Sequence, residues 1–260
     1  MQKLHQLWQW LIYIIKGKSR YYIHSPFVFD FINQVLLDRR SFYVFNEIEN
    51  LKLRLLQNKN TIDVTDFGAG HAGKILNKRS IQSIVKTASK SEKWSQLIFR
   101  IAKHYSANHI LELGTSLGLT SLYLSGISNQ QHVVTMEGCP NTAAMANTNF
   151  RQMKRNNIQL VVGNFDDHLV SALSDNSFDL IFIDGNHKYE PTLRYFDLIK
   201  QKIHHKSIII FDDIHWSNEM TMVWNKIKSD KTVSVTIDLY QLGIIFFHPT
   251  QHKADFILYY

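Results

Sequence analysis

The 260-residue sequence has few of the residues that cross-link or interrupt a chain. Its one cysteine, Cys139, excludes a disulfide framework and a cysteine-based zinc site. No apolar run approaches the roughly 18 residues of a membrane span. The longest run near the start, Trp10–Ile15, lacks a small-residue cleavage site and precedes basic residues, so we do not interpret it as a signal peptide. We therefore expect a protein of the reducing cytoplasm.

Acidic residues are fewer than basic ones. The chain has 29 Lys and Arg against 22 Asp and Glu, which gives a net charge of +7. That balance suits acidic partners such as phosphates, anionic lipid or nucleic acid. Hydrophobic residues make up 45% and charged residues 20%, values near the globular average that exclude disorder and coiled-coil rods.

The sequence pattern divides the chain into a helical part at 1–58, a connecting segment at 59–90 and an alternating part at 91–260. One helical stripe near the start is apolar: Leu4, Leu7, Trp8, Leu11, Ile12 and Ile15. We expect the stripe to pack on the body of the protein or on a partner subunit, so that residues 1–58 form a cap over the active site or build a homodimer. The alternative is peripheral contact of residues 1–20 with a membrane surface, because basic residues flank the stripe.

Capping residues mark further helix starts. Ser25 precedes Pro26, which is an N-cap followed by a proline at the first helical position. Asn46 with Glu49 three residues later has the spacing of a capping box. Ser91 is the predicted cap of a further amphipathic helix.

From residue 91 onward, strand-like and helical runs alternate. Strands are predicted at His109–Leu113, His132–Met136, Ile158–Val162, Phe178–Ile183, Ser207–Phe211, Val233–Leu239 and Ile244–Phe247, with Phe256–Tyr260 as a further candidate. Such alternation predicts an α/β fold with a doubly wound, seven-stranded, mostly parallel sheet of Rossmann-like type. The last two strands of the seven lie too close together for a crossover helix, so they are expected to form an antiparallel hairpin.

Residues at the strand ends are candidate ligands, since open α/β sheets bind ligands there. The first strand ends in Glu112, and Gly114, Thr115, Ser116 and Gly118 follow. Glycines four residues apart allow a tight turn and close approach of a ligand. The spacing differs from the G-x-G-x-x-G loop of nicotinamide-binding proteins. The alternative interpretation is a tight strand–helix turn without a ligand.

The next two strand ends add further polar groups. Glu137, at the tip of the second strand, can accept both hydroxyls of a ribose. Gly163, Asn164 and Phe165 follow the third strand, where an amide and a ring can frame a purine. The alternative is an ordinary loop in which Asp166 caps the next helix.

Carboxylates end the fourth and fifth strands: Asp184, Asp212 and Asp213. Clustered carboxylates repel one another unless a cation neutralises them, which favours a hard divalent ion such as Mg²⁺. The alternatives are that Asp212 or Asp213 caps the following helix, or that a transition metal binds at His187 or His215.

The ensemble of Glu112-x-Gly114-x-x-x-Gly118, Glu137, the Asp184 strand and the terminal hairpin resembles the class I S-adenosylmethionine-dependent methyltransferases. The resemblance covers roughly residues 89–248. Within that superfamily it is most similar to the metal-dependent O-methyltransferases of the catechol and macrocin type, and stretches near the start look like an uncharacterised bacterial subfamily. It implies S-adenosylmethionine as the cofactor and a small hydroxylated molecule as the acceptor.

The resemblance also implies roles for individual residues. Ser89 corresponds to a segment that covers the cofactor, and Asp184 is expected to be a catalytic residue as well as a cofactor and metal ligand. Asp212 and Asp213 match the acidic pair of the family's metal site. His187 stands three residues after the first metal aspartate, where the catechol enzymes have a lysine base, and histidine can act as a base near neutral pH.

Two other classes of protein fit the sequence less well. A nucleic-acid methyltransferase would use the positive charge, but a solvated helix face explains the small basic cluster near Arg151, and the fourth strand does not end in an Asn/Asp-Pro-Pro-Tyr run. We therefore do not expect a nucleic-acid partner. Intact acidic strand ends argue against a non-catalytic binding protein.

The segment Asp66–Gly73 is predicted either to form the floor of the substrate pocket or to turn the chain.

Overall fold

The computed structural model describes residues 2–65, 76–173, 177–249 and 252–260. The Asp66–Gly73 segment lies outside these residues. The chain forms two compact units, one made of 1–37 together with 175–260 and the other of 38–174. The part boundaries expected at residues 58 and 90 stay predictions.

Helices and strands alternate through most of the described chain. The α-helices are α1 (Gln2–Lys16), α2 (Pro26–Phe31), α3 (Tyr43–Gln57), α4 (Ile81–Ala88), α5 (Glu92–His104), α6 (Leu119–Ser125), α7 (Pro140–Gln152), α8 (Phe165–Ala172), α9 (Tyr189–Ile199) and α10 (Asn218–Ser229). The strands are β1 (Thr61–Thr65), β2 (Leu76–Ser80), β3 (His109–Leu113), β4 (His132–Glu137), β5 (Ile158–Val162), β6 (Phe178–Ile183), β7 (Ile203–Asp212), β8 (Val235–Asp238), β9 (Leu242–Phe246) and β10 (Ala254–Ile257).

Strands β3 to β10 follow the order β10-β8-β9-β7-β6-β3-β4-β5 in an eight-stranded sheet, while β1 and β2 form a separate antiparallel pair. Strands β3, β4 and β5 run parallel, as do β6 and β7. Strand β9 runs antiparallel to both β7 and β8, which confirms the hairpin. The predicted α/β fold class is confirmed. The sheet has eight strands rather than seven because β10 pairs in parallel with β8.

In the unit of 38–174, buried apolar strands support the candidate site. All residues of β3 after His109 are buried, and the register places Glu112 beside Thr135 of β4. Helices α3, α4, α6 and α7 contribute to one hydrophobic core that includes Ile48 and Leu122. Burying a large aliphatic side chain stabilises a fold by about 1.5–3 kcal/mol. The strand ends of this unit are therefore supported by a well-packed hydrophobic core.

In the unit of 1–37 and 175–260, β6 and β7 carry continuous buried apolar runs at 180–183 and 208–211. This burial on both faces was predicted from the sequence. Gly243 in β9 makes room for Trp224 of α10, since a Cβ at Gly243 would lie 2.7 Å from the indole Cζ3. The indole of Trp224 is thereby buried against β9.

Two expectations for the N-terminal helices differ from the structure. Helix α3 begins at Tyr43 with Phe42 as its N-cap, so the capping box predicted at Asn46 is wrong. In α1 the apolar stripe faces solvent, so its predicted packing on the body of the protein is wrong. The Ser25 cap is confirmed, because its Oγ accepts a hydrogen bond from the N–H of Val28 at 3.4 Å.

Candidate active site

The loop between β3 and α6 has left-handed backbone at three positions. The φ angles are +106° at Gly114, +49° at Ser116 and +82° at Gly118. Glycine adopts such angles without strain, whereas a serine there is less common. The N–H groups of Gly114 and Thr115 both donate to the carbonyl of Met136 at 3.0 Å. The turn is therefore tied to the neighbouring strand β4.

Packing also restricts the end of this loop. A Cβ at Gly118 would lie 2.4 Å from the ring of Phe150 in α7, closer than any real contact. The N–H of Gly118 donates to the carbonyl of Thr115 at 2.8 Å, and the hydroxyl of Thr115 lies 2.6 Å from that of Thr135. The predicted tight turn is thus present and is fixed on both sides.

Glu112 is completely buried near the end of β3. Its Oε2 accepts hydrogen bonds from the hydroxyl of Thr135 at 2.6 Å and from the hydroxyl of Ser121. Burial raises the pKa of the carboxyl to about 7, although the two hydroxyls favour the charged form. Among the described residues, its Oε1 has no hydrogen-bond partner. Leaving a buried acceptor unsatisfied costs about 1–3 kcal/mol, so this oxygen is available to a polar ligand.

Glu137 ends β4 and joins two backbone segments. Its Oε2 accepts from the N–H of Ser116 at 2.8 Å, and its Oε1 accepts from the N–H of Cys139 at 2.9 Å. Burial raises the pKa of this carboxyl, while the backbone N–H groups act to lower it. Each carboxylate oxygen has two lone pairs, so both can still accept hydrogen bonds from ligand hydroxyls. The geometry suits the predicted role in binding a ribose.

Strand β1 ends beside this turn, a contact that the sequence analysis missed. The N–H of Thr65 donates to the Sγ of buried Cys139 at 3.3 Å, and the side-chain amide of Asn141 donates to the carbonyl of Asp63 at 2.8 Å. The only sequence feature that could have indicated this contact is the single cysteine, two residues after the strand-end Glu137. These contacts give Cys139 a packing role next to the candidate cofactor site.

The third strand end forms a capped helix start. Gly163 has a φ of +145°, and its N–H donates to the carbonyl of Glu137 at 2.9 Å. The side chain of Asn164 caps α8 by accepting from the N–H of Asp166 at 3.3 Å. The alternative in which Asp166 is the cap is therefore wrong. Phe165 is the first residue of α8 and is half-buried, so its ring is partly accessible.

Ser89 is the C-cap of α4. Its N–H donates to the carbonyl of Val85 at 3.3 Å, and the residue is half-buried. Its place over a cofactor stays a prediction.

In the other unit, Asp184 follows β6 and His187 lies in the same turn. The His187 Nε2 lies 3.7 Å from the Asp184 Oδ1, and both side chains are partly exposed. Among the described residues, the ring of His187 is paired only with Asp184. Asn186 between them has a φ of +50°, and its side-chain amide donates to the hydroxyl of Tyr195 at 3.2 Å. The turn therefore holds an accessible imidazole beside a carboxylate.

The carboxylates after β7 differ in their surroundings. Asp212 is buried at the end of the strand, whereas Asp213 is half-buried with a left-handed φ of +51°. Neither caps α10, because Ser217 is the N-cap and accepts from the N–H of Met220 at 3.1 Å. No group of three or more His, Cys, Asp or Glu side chains in the described residues could hold a metal ion. The predicted three-carboxylate metal site is therefore not confirmed.

His215 has two partners that the sequence analysis missed. Its Nε2 lies 2.8 Å from the Oδ2 of Asp238, and its Nδ1 lies 3.3 Å from the hydroxyl of Thr221. Asp238 also accepts from the indole N–H of Trp224 at 3.1 Å and from the N–H of Tyr240 at 2.8 Å. Both ring nitrogens of His215 are thus engaged, so His187 is the more accessible of the two candidate bases.

Part of the chain is similar to a known protein family. Residues 111–214, less than half of the chain, match a family described as a methyltransferase domain. An uncharacterised protein of Acanthamoeba polyphaga mimivirus is 36% identical over 58 residues. That match covers 21% of this chain, and the chain spans about a quarter, 26%, of the length of the viral protein.

Two solved structures show the fold. The chain is similar to the O-methyltransferase of Bacillus cereus in complex with S-adenosylhomocysteine, at 16% identity and a TM-score of 0.56 over 84% of this chain and 96% of that one. It is also similar to the O-methyltransferase TomG of Streptomyces achromogenes in complex with S-adenosylmethionine, at 14% identity and a TM-score of 0.56 over 84% of this chain and 95% of that one. Residues 111–214 are therefore similar to a methyltransferase domain, and the chain shares the fold of these two solved methyltransferases.

Proposed function

We propose that this protein is an S-adenosylmethionine-dependent O-methyltransferase that methylates a small hydroxylated molecule. The observation that carries the proposal is the Glu137 carboxylate, which is fixed by the backbone N–H groups of Ser116 and Cys139 beside a left-handed glycine loop. It stands at a strand end, where α/β sheets bind ligands. The two similar structures contain S-adenosylhomocysteine and S-adenosylmethionine, which supports the choice of cofactor.

The residues present fit such a cofactor. Glu112 offers a buried oxygen without a partner among the described residues, and Glu137 offers lone pairs for ribose hydroxyls. The residues proposed to bind the cofactor in the unit of 38–174 are Ser89, Glu112, Gly114, Thr115, Ser116, Gly118, Glu137, Gly163, Asn164 and Phe165. A contact of Asp184 with the cofactor stays a prediction from the sequence. When bound, S-adenosylmethionine supplies a methyl group on a positively charged sulfur.

The chain's own part in the reaction is to position the acceptor and to take its proton. We assign the proton to His187, because its imidazole is half-exposed and Asp184 lies 3.7 Å from its Nε2. The carboxylate orients the ring and stabilises the imidazolium that forms when the acceptor hydroxyl loses its proton. The acceptor oxygen forms its bond to the methyl carbon as the carbon–sulfur bond breaks, and that electron pair stays on sulfur.

No step is assigned to a metal ion. The carboxylates Asp184, Asp212 and Asp213 do not form a metal-binding group in the described part of the chain. We therefore propose that His187 activates the acceptor without a bound divalent ion.

Calorimetric titration with S-adenosylmethionine and S-adenosylhomocysteine tests cofactor binding. Replacing Glu137 with alanine removes a charged acceptor and is expected to weaken binding by roughly 1.5–3 kcal/mol, about tenfold to a hundredfold. The matched control is Glu47→Ala, which removes a surface carboxylate paired with Arg155 and should bind as the wild type does. Absence of binding to the intact protein, or unchanged affinity in Glu137→Ala, would refute the assignment.

Methyl transfer to a panel of hydroxylated small molecules tests the reaction. The His187→Ala variant should bind the cofactor normally and lose about 10²–10⁴ in rate, the usual contribution of a general base. Activity should persist in the presence of a chelator. Full activity of His187→Ala would move the base elsewhere, with His215→Ala as the next variant, and loss of activity in chelator would restore the metal prediction.

A further inference from the structure

Helix α1 lies with its polar face toward the protein and its apolar face toward solvent. Six large apolar side chains on the outer face are 38–79% exposed: Leu4, Leu7, Trp8, Leu11, Ile14 and Ile15. Trp10 at the edge of the same face is 45% exposed, and Tyr13 is the one buried residue of the helix. We call this outer face the N-terminal apolar surface. Such a contiguous exposed surface marks an interaction site, because leaving it in water is costly.

Hydrogen bonds fix this orientation. The side-chain amides of Gln2 and Gln6 both donate to the carbonyl of Trp216, at 3.3 and 2.9 Å. The His5 Nε2 lies 3.0 Å from the hydroxyl of Thr221, and the hydroxyl of Tyr240 donates to the carbonyl of Gln6 at 3.0 Å. A turn of the helix about its axis would break all of these bonds. The outward apolar face is therefore built into the unit.

The C-terminal end of α1 is anchored as well. The hydroxyl of Tyr13 donates to the carbonyl of Leu258 at 2.8 Å and accepts from the N–H of Tyr260 at 3.1 Å. Lys18 pairs with Leu258 in a parallel bridge. Gly17 allows this close approach, since a Cβ there would lie 2.5 Å from the ring of Tyr259. The helix is held at both ends, so its apolar face cannot fold back onto the unit.

The charges around the helix identify what covers this surface. Residues 2–29 contain no Asp or Glu, and the basic residues among them are Lys3, Lys16, Lys18 and Arg20. The first acidic residue of the chain is Asp30. A second copy of the chain is a poor occupant, because a symmetric dimer through this patch would bring cations toward cations. An anionic lipid surface complements both the apolar face and the positive charge.

We propose that the N-terminal apolar surface binds an anionic membrane interface, with α1 lying in the plane of the headgroups. An interfacial helix is recognised by an apolar face with Trp and Leu and by flanking Lys or Arg, which is the composition found here. Trp8 and Trp10 are suited to the headgroup level, where amphipathic rings concentrate. Helix α1 lies on the surface rather than across it, because no helix in the described residues is long and apolar enough to span a membrane.

Co-sedimentation of the full chain with vesicles tests this proposal. The wild type should bind vesicles of phosphatidylcholine mixed with phosphatidylserine, bind poorly to phosphatidylcholine alone, and detach as salt is raised. Leu7→Gln combined with Leu11→Gln should lower the partition coefficient by at least about tenfold. Lys16→Gln combined with Lys18→Gln should lower it about 25-fold, since each basic side chain near an anionic surface contributes a factor of about five.

Matched controls separate this surface from general stickiness. Leu53→Gln removes an apolar side chain that is 57% exposed on α3, and Lys59→Gln removes an exposed cation; both should bind vesicles as the wild type does. All variants should keep wild-type cofactor affinity. The proposal is overturned if the wild type stays in the supernatant with anionic vesicles at low salt, or if the α1 variants bind unchanged. A dimer in analytical ultracentrifugation that Leu7→Gln with Leu11→Gln abolishes, without vesicle binding, would assign the surface to a second copy.

Discussion

Replacing Glu112 with glutamine should change how the stability of this protein depends on pH. The carboxyl is fully buried, and burial raises its pKa from 4.5 to about 7. Glutamine has nearly the same shape and can still accept from Ser121 and Thr135, but it does not titrate. The comparison therefore isolates the ionisation of one side chain.

The sign and size of the effect follow from the pKa. Below about pH 4.5 the carboxyl is protonated in both the folded and the unfolded chain, so ionisation costs nothing. Between about pH 4.5 and 7 the unfolded chain loses the proton while the folded chain keeps it, so the free energy of unfolding falls as pH rises. Each pH unit corresponds to about 1.4 kcal/mol, so the loss contributed by Glu112 is about 3 kcal/mol by neutral pH.

Urea denaturation of the wild type and of Glu112→Gln at about pH 5 and about pH 8 measures this. The variant should gain about 2.5 kcal/mol relative to the wild type over that interval, since part of the loss has already occurred at pH 5. Glu49, whose pKa burial also raises to about 7, is present in both proteins and cancels in the difference. Glu190→Gln, which removes an exposed carboxyl on α9, is the matched control. A difference between wild type and Glu112→Gln that does not vary with pH would refute the reasoning.

Three further substitutions test the packing and ion pairs of the fold. Gly118→Ala places a Cβ against the Phe150 ring at a left-handed φ and should cost about 1–3 kcal/mol in urea denaturation, so wild-type stability would contradict the clash. Asp238→Ala leaves the indole of Trp224, the ring of His215 and the N–H of Tyr240 without their acceptor and should cost about 3 kcal/mol; a loss below about 1 kcal/mol would show that water replaces the carboxylate. Burial acts to raise the pKa of Asp230, but hydrogen bonds from Lys200 and Thr232 outweigh it and hold the pKa at about 2. Asp230→Asn should therefore cost about 2 kcal/mol at neutral pH, and this cost should vanish as pH falls from about 4 to about 2; a cost that persists in acid would rule out the ion pair.

Strands in the middle of the sheet could be predicted from the sequence because one signal determines them. His109–Leu113 and Phe178–Ile183 have the predicted bounds. Apolar residues dominate both strands, with a continuous run at 180–183 in the second, and a segment buried on both faces can be recognised without knowing which strands lie beside it. The glycine loop after Glu112 was likewise predictable, since the left-handed φ angles at Gly114 and Gly118 favour glycine.

Helix α1 shows what periodicity leaves open. The spacing of its apolar residues predicts a stripe, and the stripe exists, but the spacing does not say which face contacts the protein. That choice depends on Tyr13 and Gln6, whose partners lie more than 200 residues away in the sequence. Long-range hydrogen bonds to the C-terminal part of the chain thus override the usual rule that the apolar face is buried.

For the side chains at strand ends, too, the sequence predicts some features and not others. Their positions along the chain were predicted, but the direction in which each carboxylate points depends on local backbone and on distant partners. Asp212 is the last residue of β7 and has extended backbone, whereas Asp213, the next residue, has a left-handed φ that no sequence pattern predicts. Asp238 is paired with His215, which lies 23 residues away in the sequence, and no local sequence pattern predicts that contact.

Glu137 illustrates how a ligand group can also be a structural one. Its carboxylate accepts from Ser116 in the β3–α6 loop and from Cys139 at the start of α7, so it fixes two strand-end segments at once. It also adds a negative charge near Glu112 and contributes to the raised pKa of that carboxyl. Two neighbouring carboxyls, one buried and one half-buried, are costly while both are charged, and a cation placed beside them would lower that cost. The same electrostatics that raise the pKa values of these two carboxyls therefore favour a positively charged cofactor.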